Sequence, residues 1–149
     1  MADAGLIPPQ AIEIEQQLLG ACLRSRQAIS DAAAAIRTPD AYYRRDHALI
    51  WAALLHLDCH DEPADLLTVA EELRRRGQLD DCGGPVYLAE LASGVASAAN
   101  IGHHARIVRD RYLLRQLAEI GHGLVGGAHR PGAEPAALVT SASERLFAL

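Results

Sequence analysis

The hexapeptide GHGLVG, from Gly121 to Gly126, is a segment whose residue types suggest chemistry. A Gly-x-Gly-x-x-Gly turn binds a pyrophosphate only when it follows a strand and opens a helix, where backbone amides meet the phosphates. Here it ends a helical pattern, so we interpret it as a chance match that weakens the helix at a bend by about 1 kcal/mol per glycine. The chain contains no Lys, so it also lacks a Walker A motif for ATP.

Two other clusters could bind a ligand. His56, Cys59 and His60 are spaced to share one helical face, but a closed zinc site takes four ligands and no second set of ligands matches. The triplet Arg74 to Arg76 could bind a phosphate, yet at the end of a predicted helix these cations are explained by the helix dipole. We therefore predict no catalytic, cofactor-binding or metal-binding residue in this chain.

The composition limits the class of protein. Half of the 149 residues are hydrophobic, the net charge is −5, and every basic residue is an Arg. Binding along nucleic-acid phosphates needs many cations to displace counterions, so we expect no direct nucleic-acid binding. No apolar run could cross a membrane, and the first ten residues lack a signal-peptide pattern, so we expect a cytoplasmic protein. Cys22, Cys59 and Cys82 are expected to be buried thiols in a reducing compartment.

Apolar spacing predicts an all-α fold with no strand. Asp65 can cap the fourth helix, Gly77 can end it, and Pro85 suits the first turn of the fifth. The third helix is apolar almost all round, which predicts a central place in the core with Trp51 buried. The predicted helices cover about residues 12–23, 27–36, 46–59, 66–76, 85–91, 100–124 and 135–149.

The last third of the chain predicts a helical hairpin, because a long helix, a short Pro/Gly loop and a returning helix follow one another. We divide the chain into a globular head, residues 1–99, and a hairpin, residues 100–149. The long helix carries two apolar stripes, about a third of a turn apart: one for the head (Ile101, Ala105, Val108, Tyr112) and one for the returning helix and another subunit. The predicted self-association residues are Leu113, Leu117, Ile120, Leu124 and Leu146.

Four segments, in order, resemble one known family. They are PPQAIEIEQQLLGACL (8–23), YYRRDHALIWAALLHL (42–57), DLLTVAEELRRRGQLDDCGGPVYLAEL (65–91) and SAANIGHHARIVRDRYLLRQL (97–117). The third is the most specific, with an Asp-Leu-x-Thr helix start and a Gly-Gly-x-x-Tyr-Leu turn. This series resembles the N-terminal domain of the bacterial replicative DNA helicase DnaB over about residues 7–149. The chain departs from the family at Gly121, Gly123, Gly126 and Gly127, where the family's hairpin is a more regular helix.

The resemblance implies a six-helix N-terminal globule followed by a helical hairpin. It implies a non-catalytic module that pairs through its hairpin as a dimer, or as a trimer of dimers, in a collar above the helicase ring. Primase, and also a helicase loader, are the partners it implies. ATP and magnesium belong to a separate RecA-like motor domain, so this chain is expected to need no cofactor and to be no enzyme by itself.

Three functions stay open at this point. The chain can be the N-terminal domain of a replicative helicase, or a stand-alone paralogue without a motor that regulates or adapts the replication machinery. The length of the native reading frame separates these two. The third is an unrelated helical DNA-binding regulator, which the acidic charge and the lack of a basic recognition helix disfavour.

Overall fold

The structure, a computed structural model, describes residues 5–149, and within these residues it is all-helical, as predicted. Seven α-helices follow one another, with short 3₁₀ turns at Pro39–Ala41 and Asp80–Cys82. The helices are α1 (Ile12–Cys22), α2 (Arg26–Ala33), α3 (Arg45–Cys59), α4 (Leu66–Arg75), α5 (Gly84–Ser93), α6 (Ile101–Ala128) and α7 (Pro135–Phe147).

Local signals fix several helix ends as the sequence predicts. The Asp65 carboxylate accepts hydrogen bonds from the backbone N–H groups of Leu67 and Thr68, both at 3.0 Å, and so caps α4. Gly77 follows α4 with φ +68°, a left-handed conformation that suits glycine. Pro85 lies in the first turn of α5, where its missing N–H costs no helical hydrogen bond.

The head is built around α3, which contacts α1, α2, α4 and both 3₁₀ turns. Trp51, Ile50 and Leu54 on α3 are fully buried, which confirms the predicted central position of this helix. They pack with buried leucines and isoleucines of the surrounding helices, among them Leu18, Leu19, Ile29, Leu73 and Leu88. The head core is therefore mainly aliphatic, and Trp51 and Tyr42 are buried aromatic side chains within it.

Three expectations need correction. Cys59 is exposed, because it is the last residue of α3, where that helix leaves the core, whereas Cys22 and Cys82 are buried. The second helix ends at Ala33, because the chain turns there to bury Ile36 and becomes extended at Thr38 before Pro39. Finally, α6 does not end near residue 124.

The long helix continues through the glycine-rich segment to Ala128. One reason is that α7 packs closely along it: a Cβ atom at position 127 would lie 2.5 Å from Leu138 Cδ2, so the bare backbone of Gly127 lets α7 approach. The glycines thus lie inside a helix instead of ending it. The division of the chain at residues 99 and 100 stays a prediction.

Candidate self-association surface

The first half of α6 is part of the head. Ile101, Ala105 and Val108 are buried against it, and Tyr112 packs at the edge of the core. The helix contacts α1 and α2 on this side. The stripe that the sequence assigns to the head is therefore confirmed.

The second half of α6 leaves the head and packs against α7. Ile120 is 5% exposed and lines a small cavity of about 90 Å³ together with Leu138 and Ala142 of the returning helix. Arg145 of α7 lies 3.6 Å from the Glu119 carboxylate, and this ion pair spans the two helices. These contacts make α6 and α7 a helical hairpin.

The predicted self-association residues do not all lie at the surface. Ile120 is covered by α7, and Leu113 is half-buried. Leu117, Leu124 and Leu146 stay exposed, at 45%, 38% and 48%. Other large apolar side chains of the hairpin are exposed as well: Leu114, Val125, Val139 and Phe147.

The returning helix has little to hold it. Among the elements of residues 5–149, α7 contacts α6 alone. None of its residues is buried. A 13-residue helix is marginal in water without packing against a partner, and α7 has such a partner on one side only. The hairpin is therefore an incomplete helical layer.

Arg115 fastens the hairpin to the head at the point where α6 emerges. Its guanidinium donates hydrogen bonds to the backbone oxygens of Pro9 and Ala41, both at 2.8 Å. It also lies 5.5 Å from the ring centre of Tyr43 and 5.8 Å from that of Tyr112, as cation–π contacts require. Burial of the guanidinium lowers the pKa of Arg115 from its usual value.

A buried polar chain inside the head was missed by sequence analysis. His47 Nδ1 lies 2.6 Å from Glu15 Oε2, and His47 Nε2 lies 2.8 Å from the Tyr87 hydroxyl. Glu15, His47 and Tyr87 each lie in a different one of the segments that resemble the DnaB N-terminal domain. This shared resemblance was the only sequence signal that linked the three residues. The side chains of His47 and Glu15 are 0% and 1% exposed, so the arrangement supports the fold.

The segments whose residue types suggested ligand binding have structural contacts instead. The GHGLVG segment lies inside α6, with no strand before it. Arg74 pairs with Glu71, while Arg75 and Arg76 lie 2.7 and 2.5 Å from Glu72. His60 Nδ1 is 2.8 Å from the backbone oxygen of His56.

Two kinds of site are absent from residues 5–149. No three His, Cys, Asp or Glu side chains in this part of the chain are grouped so that they could hold a metal ion. None of the described helices combines the length and apolarity that crossing a membrane requires.

Comparisons with known proteins agree with this geometry. The chain is 44% identical over 146 residues to the replicative DNA helicase DnaB of Rhodothermus marinus, which covers 98% of this chain and 15% of the relative. It is 43% identical over 147 residues to the DnaB of Mycobacterium leprae, covering 97% of this chain and 24% of the relative. The chain thus spans less than a third of the length of these curated relatives.

Solved structures share the fold. The crystal structure of the N-terminal domain of DnaB helicase from Mycobacterium tuberculosis superposes with a TM-score of 0.87 and 39% identity, covering 96% of this chain and all of that one. A structure of a DnaB-like replicative helicase and its interactions with primase has a TM-score of 0.78 and 24% identity, covering 93% of this chain and 31% of that chain.

The match at the level of the family is direct. The family described as DnaB-like helicase N terminal domain matches residues 7–110, which include α1 to α5 and the buried Ile101, Ala105 and Val108 of α6. This chain belongs to the DnaB-like helicase N-terminal domain family.

Proposed function

We propose that this chain is the collar module of a replicative DnaB-type DNA helicase. In this role it pairs with a second copy through its hairpin, contributes to a larger ring-shaped collar and binds primase. ATP hydrolysis and strand separation belong to a motor domain outside this sequence. The proposal is supported by family membership and by relatives that are replicative helicases several times longer than this chain.

One observation carries the pairing. The α7 helix has no buried residue and contacts α6 alone among the described elements, while Leu117 and Leu124 of α6 and Leu146 of α7 stay exposed. Soluble monomers rarely leave a large contiguous apolar surface in water. A second hairpin, related by a two-fold axis, would cover the same residues on both copies.

Sedimentation of the parent and of Leu117→Glu tests the pairing. In a two-fold contact the new carboxylate is desolvated on both copies, so its penalty is counted twice. We expect the parent to be a dimer at tens of micromolar and the variant to be a folded monomer with unchanged helix content. Leu67→Glu is the matched control, since Leu67 is 77% exposed on the head. A parent that sediments as a monomer under these conditions contradicts the pairing.

Primase binding is the second part of the proposal. If the primase site spans both copies of the pair, Leu117→Glu should bind primase more weakly than the parent and the Leu67→Glu control do. Isothermal titration calorimetry with primase measures this difference in affinity. Equal affinities for all three would show that the primase site does not depend on pairing.

The absence of catalysis is also testable. The chain contains no Lys and no Walker A motif, so the purified protein should not hydrolyse ATP or unwind duplex DNA. ATP turnover above background that a substitution within this chain abolishes would contradict this part of the proposal.

A further inference from the structure

A second apolar surface lies on the side of α6 that faces away from α7. It is a groove of about 910 Å³ at the junction of head and hairpin. The segment before α1, with Ile7, forms one wall, the loop at Tyr43 a second, and the outer half of α6, with Val125, the floor. Val125 follows Gly123, which lines the α7 side, by two residues, or about 200° around the helix. The groove is therefore separate from the hairpin contact.

The groove is open and largely apolar. Ile7 and Val125 are 75% and 60% exposed. A Cβ atom at Gly121 would meet no atom within 4 Å, so the floor leaves room for the close approach of another chain. Its volume lies within the range of about 300–1,000 Å³ that is usual for binding sites.

A guanidinium group lies at the groove. Arg115 lines the groove, and its guanidinium donates two hydrogen bonds to the carbonyl groups of Pro9 and Ala41. A guanidinium has further N–H donors, which do not take part in these two bonds. None of the ion pairs between residues 5–149 includes Arg115. A partly buried guanidinium of this kind is complementary to a carboxylate, with which it forms short, charge-assisted hydrogen bonds.

The acidic residues of the rim restrict the occupant. Asp40 is exposed, and the side chain of Glu119 is 68% exposed and paired with Arg145. Solvent and salt screen these carboxylates, but they still disfavour a strongly acidic segment. The complementary occupant is mainly apolar and carries a single acid.

We propose that the groove binds an amphipathic helical segment of a partner protein, with apolar side chains over Ile7 and Val125 and one carboxylate at Arg115. Helices that lay an apolar face into a groove are a common mode of protein recognition. The inference rests on the proposed function, because it gives the partner of the collar module a site whose lining does not include Leu117 of the pairing surface.

Phenylbutyrate is a suitable probe, because it joins an apolar ring to one carboxylate, and phenylbutyramide is its neutral twin. Each is titrated into the full chain while backbone amide NMR shifts are followed. We expect shifts around residues 115–125, a dissociation constant on the order of 1 mM for the acid and about tenfold weaker binding of the amide. Arg115→Gln should remove the difference between acid and amide.

Two matched variants locate the binding site. Val125→Glu should abolish the shifts, whereas Val86→Glu, at an equally exposed helical valine of the head (69%), should preserve them. Because both side chains are largely in solvent, both variants should fold even where Arg115→Gln does not. The proposal is overturned if the groove residues do not respond, if acid and amide bind equally, or if Val125→Glu binds as the parent does.

A second copy of the chain is the competing occupant. Without probe, groove shifts that change with protein concentration would show that a second copy fills the groove, and would overturn the proposal. Sedimentation keeps the two proposals apart. A dimer that does not respond to the probe contradicts only the groove, and a monomer that binds it contradicts only the pairing.

Discussion

His47 Nδ1 lies 2.6 Å from Glu15 Oε2, and neither side chain is more than 1% exposed. This contact joins α3 to α1, and the Tyr87 hydroxyl at 2.8 Å from Nε2 extends it to α5. The other oxygen of Glu15 accepts a hydrogen bond from the Tyr43 backbone N–H at 2.6 Å. Three helices of an aliphatic head are thus tied by one polar chain, which has partners at each step.

His47→Leu should destabilise the head strongly. The substitution leaves one oxygen of Glu15 buried without its partner, and breaking a buried pair in this way costs about 3–5 kcal/mol. Tyr87→Phe is the milder comparison: it removes one hydroxyl and should cost about 1 kcal/mol. Urea unfolding of both variants and the parent gives the two values. A loss for His47→Leu no larger than that for Tyr87→Phe would show that the Glu15 contact contributes little.

Trp51→Ala should remove most of the stability of the domain. Trp51 is 0% exposed and packs with Tyr42 at 5.7 Å between ring centres. Truncating a buried aromatic residue costs about 3–5 kcal/mol, close to the whole stability of many small domains. Thermal unfolding followed by circular dichroism measures the change, with the exposed Leu67→Ala as control. A melting temperature within a few degrees of the parent would contradict the central role of α3.

Gly20→Ala and Gly126→Ala should act in opposite directions. A Cβ atom at position 20 would lie 2.1 Å from the backbone oxygen of Leu91, so α1 and α5 would have to separate. Overpacking of this kind typically costs about 1–3 kcal/mol. At position 126, inside α6, a Cβ atom meets nothing within 4 Å, and alanine should stabilise the helix by about 0.5–1 kcal/mol. Chemical unfolding of the two variants should give opposite signs.

Glu72 should make the head sensitive to acid. Hydrogen bonds from Arg75, and then Arg76, lower the pKa of this carboxyl from 4.5 to about 2. A folded-state pKa below the unfolded value stabilises the protein above about pH 4.5, and this contribution is lost as the pH falls through about 2. Glu72→Gln should therefore be destabilising near neutral pH, and the difference from the parent should vanish near pH 2.

Urea unfolding at several pH values measures this difference. Glu71→Gln is the control, since its ion pair with Arg74 is exposed and such pairs contribute less than about 1 kcal/mol. A Glu72→Gln penalty that is the same at neutral and acid pH would contradict the assignment.

Features with local causes could be predicted from the sequence. The Asp65 cap, the turn at Gly77, the Pro85 helix start and the burial of Trp51 each depend on a few neighbouring residues or on one helical face. The hairpin followed from the same spacing, and the family from four ordered segments.

Features that join distant parts of the chain could not be predicted. The contact between Glu15 and His47 spans 32 residues, and no periodicity marks a buried acid as the partner of a particular histidine. Helix propensity alone predicted an end to α6 near its glycines, whereas the fit of Gly127 to Leu138 shows how packing can override it. The groove at Arg115 needs three separate segments, so it exists only in the folded chain.

A single uninterrupted helix, α6, joins the hairpin to the head. Its 28 residues extend about 42 Å, and the part beyond Arg115 about 20 Å. Arg115 lies where α6 leaves the head. A tilt of about 10° in the outer part of α6 at this point would displace the tip at Ala128 by about 3 Å. Small changes in the packing around Arg115 would therefore change the position of the hairpin tip relative to the head.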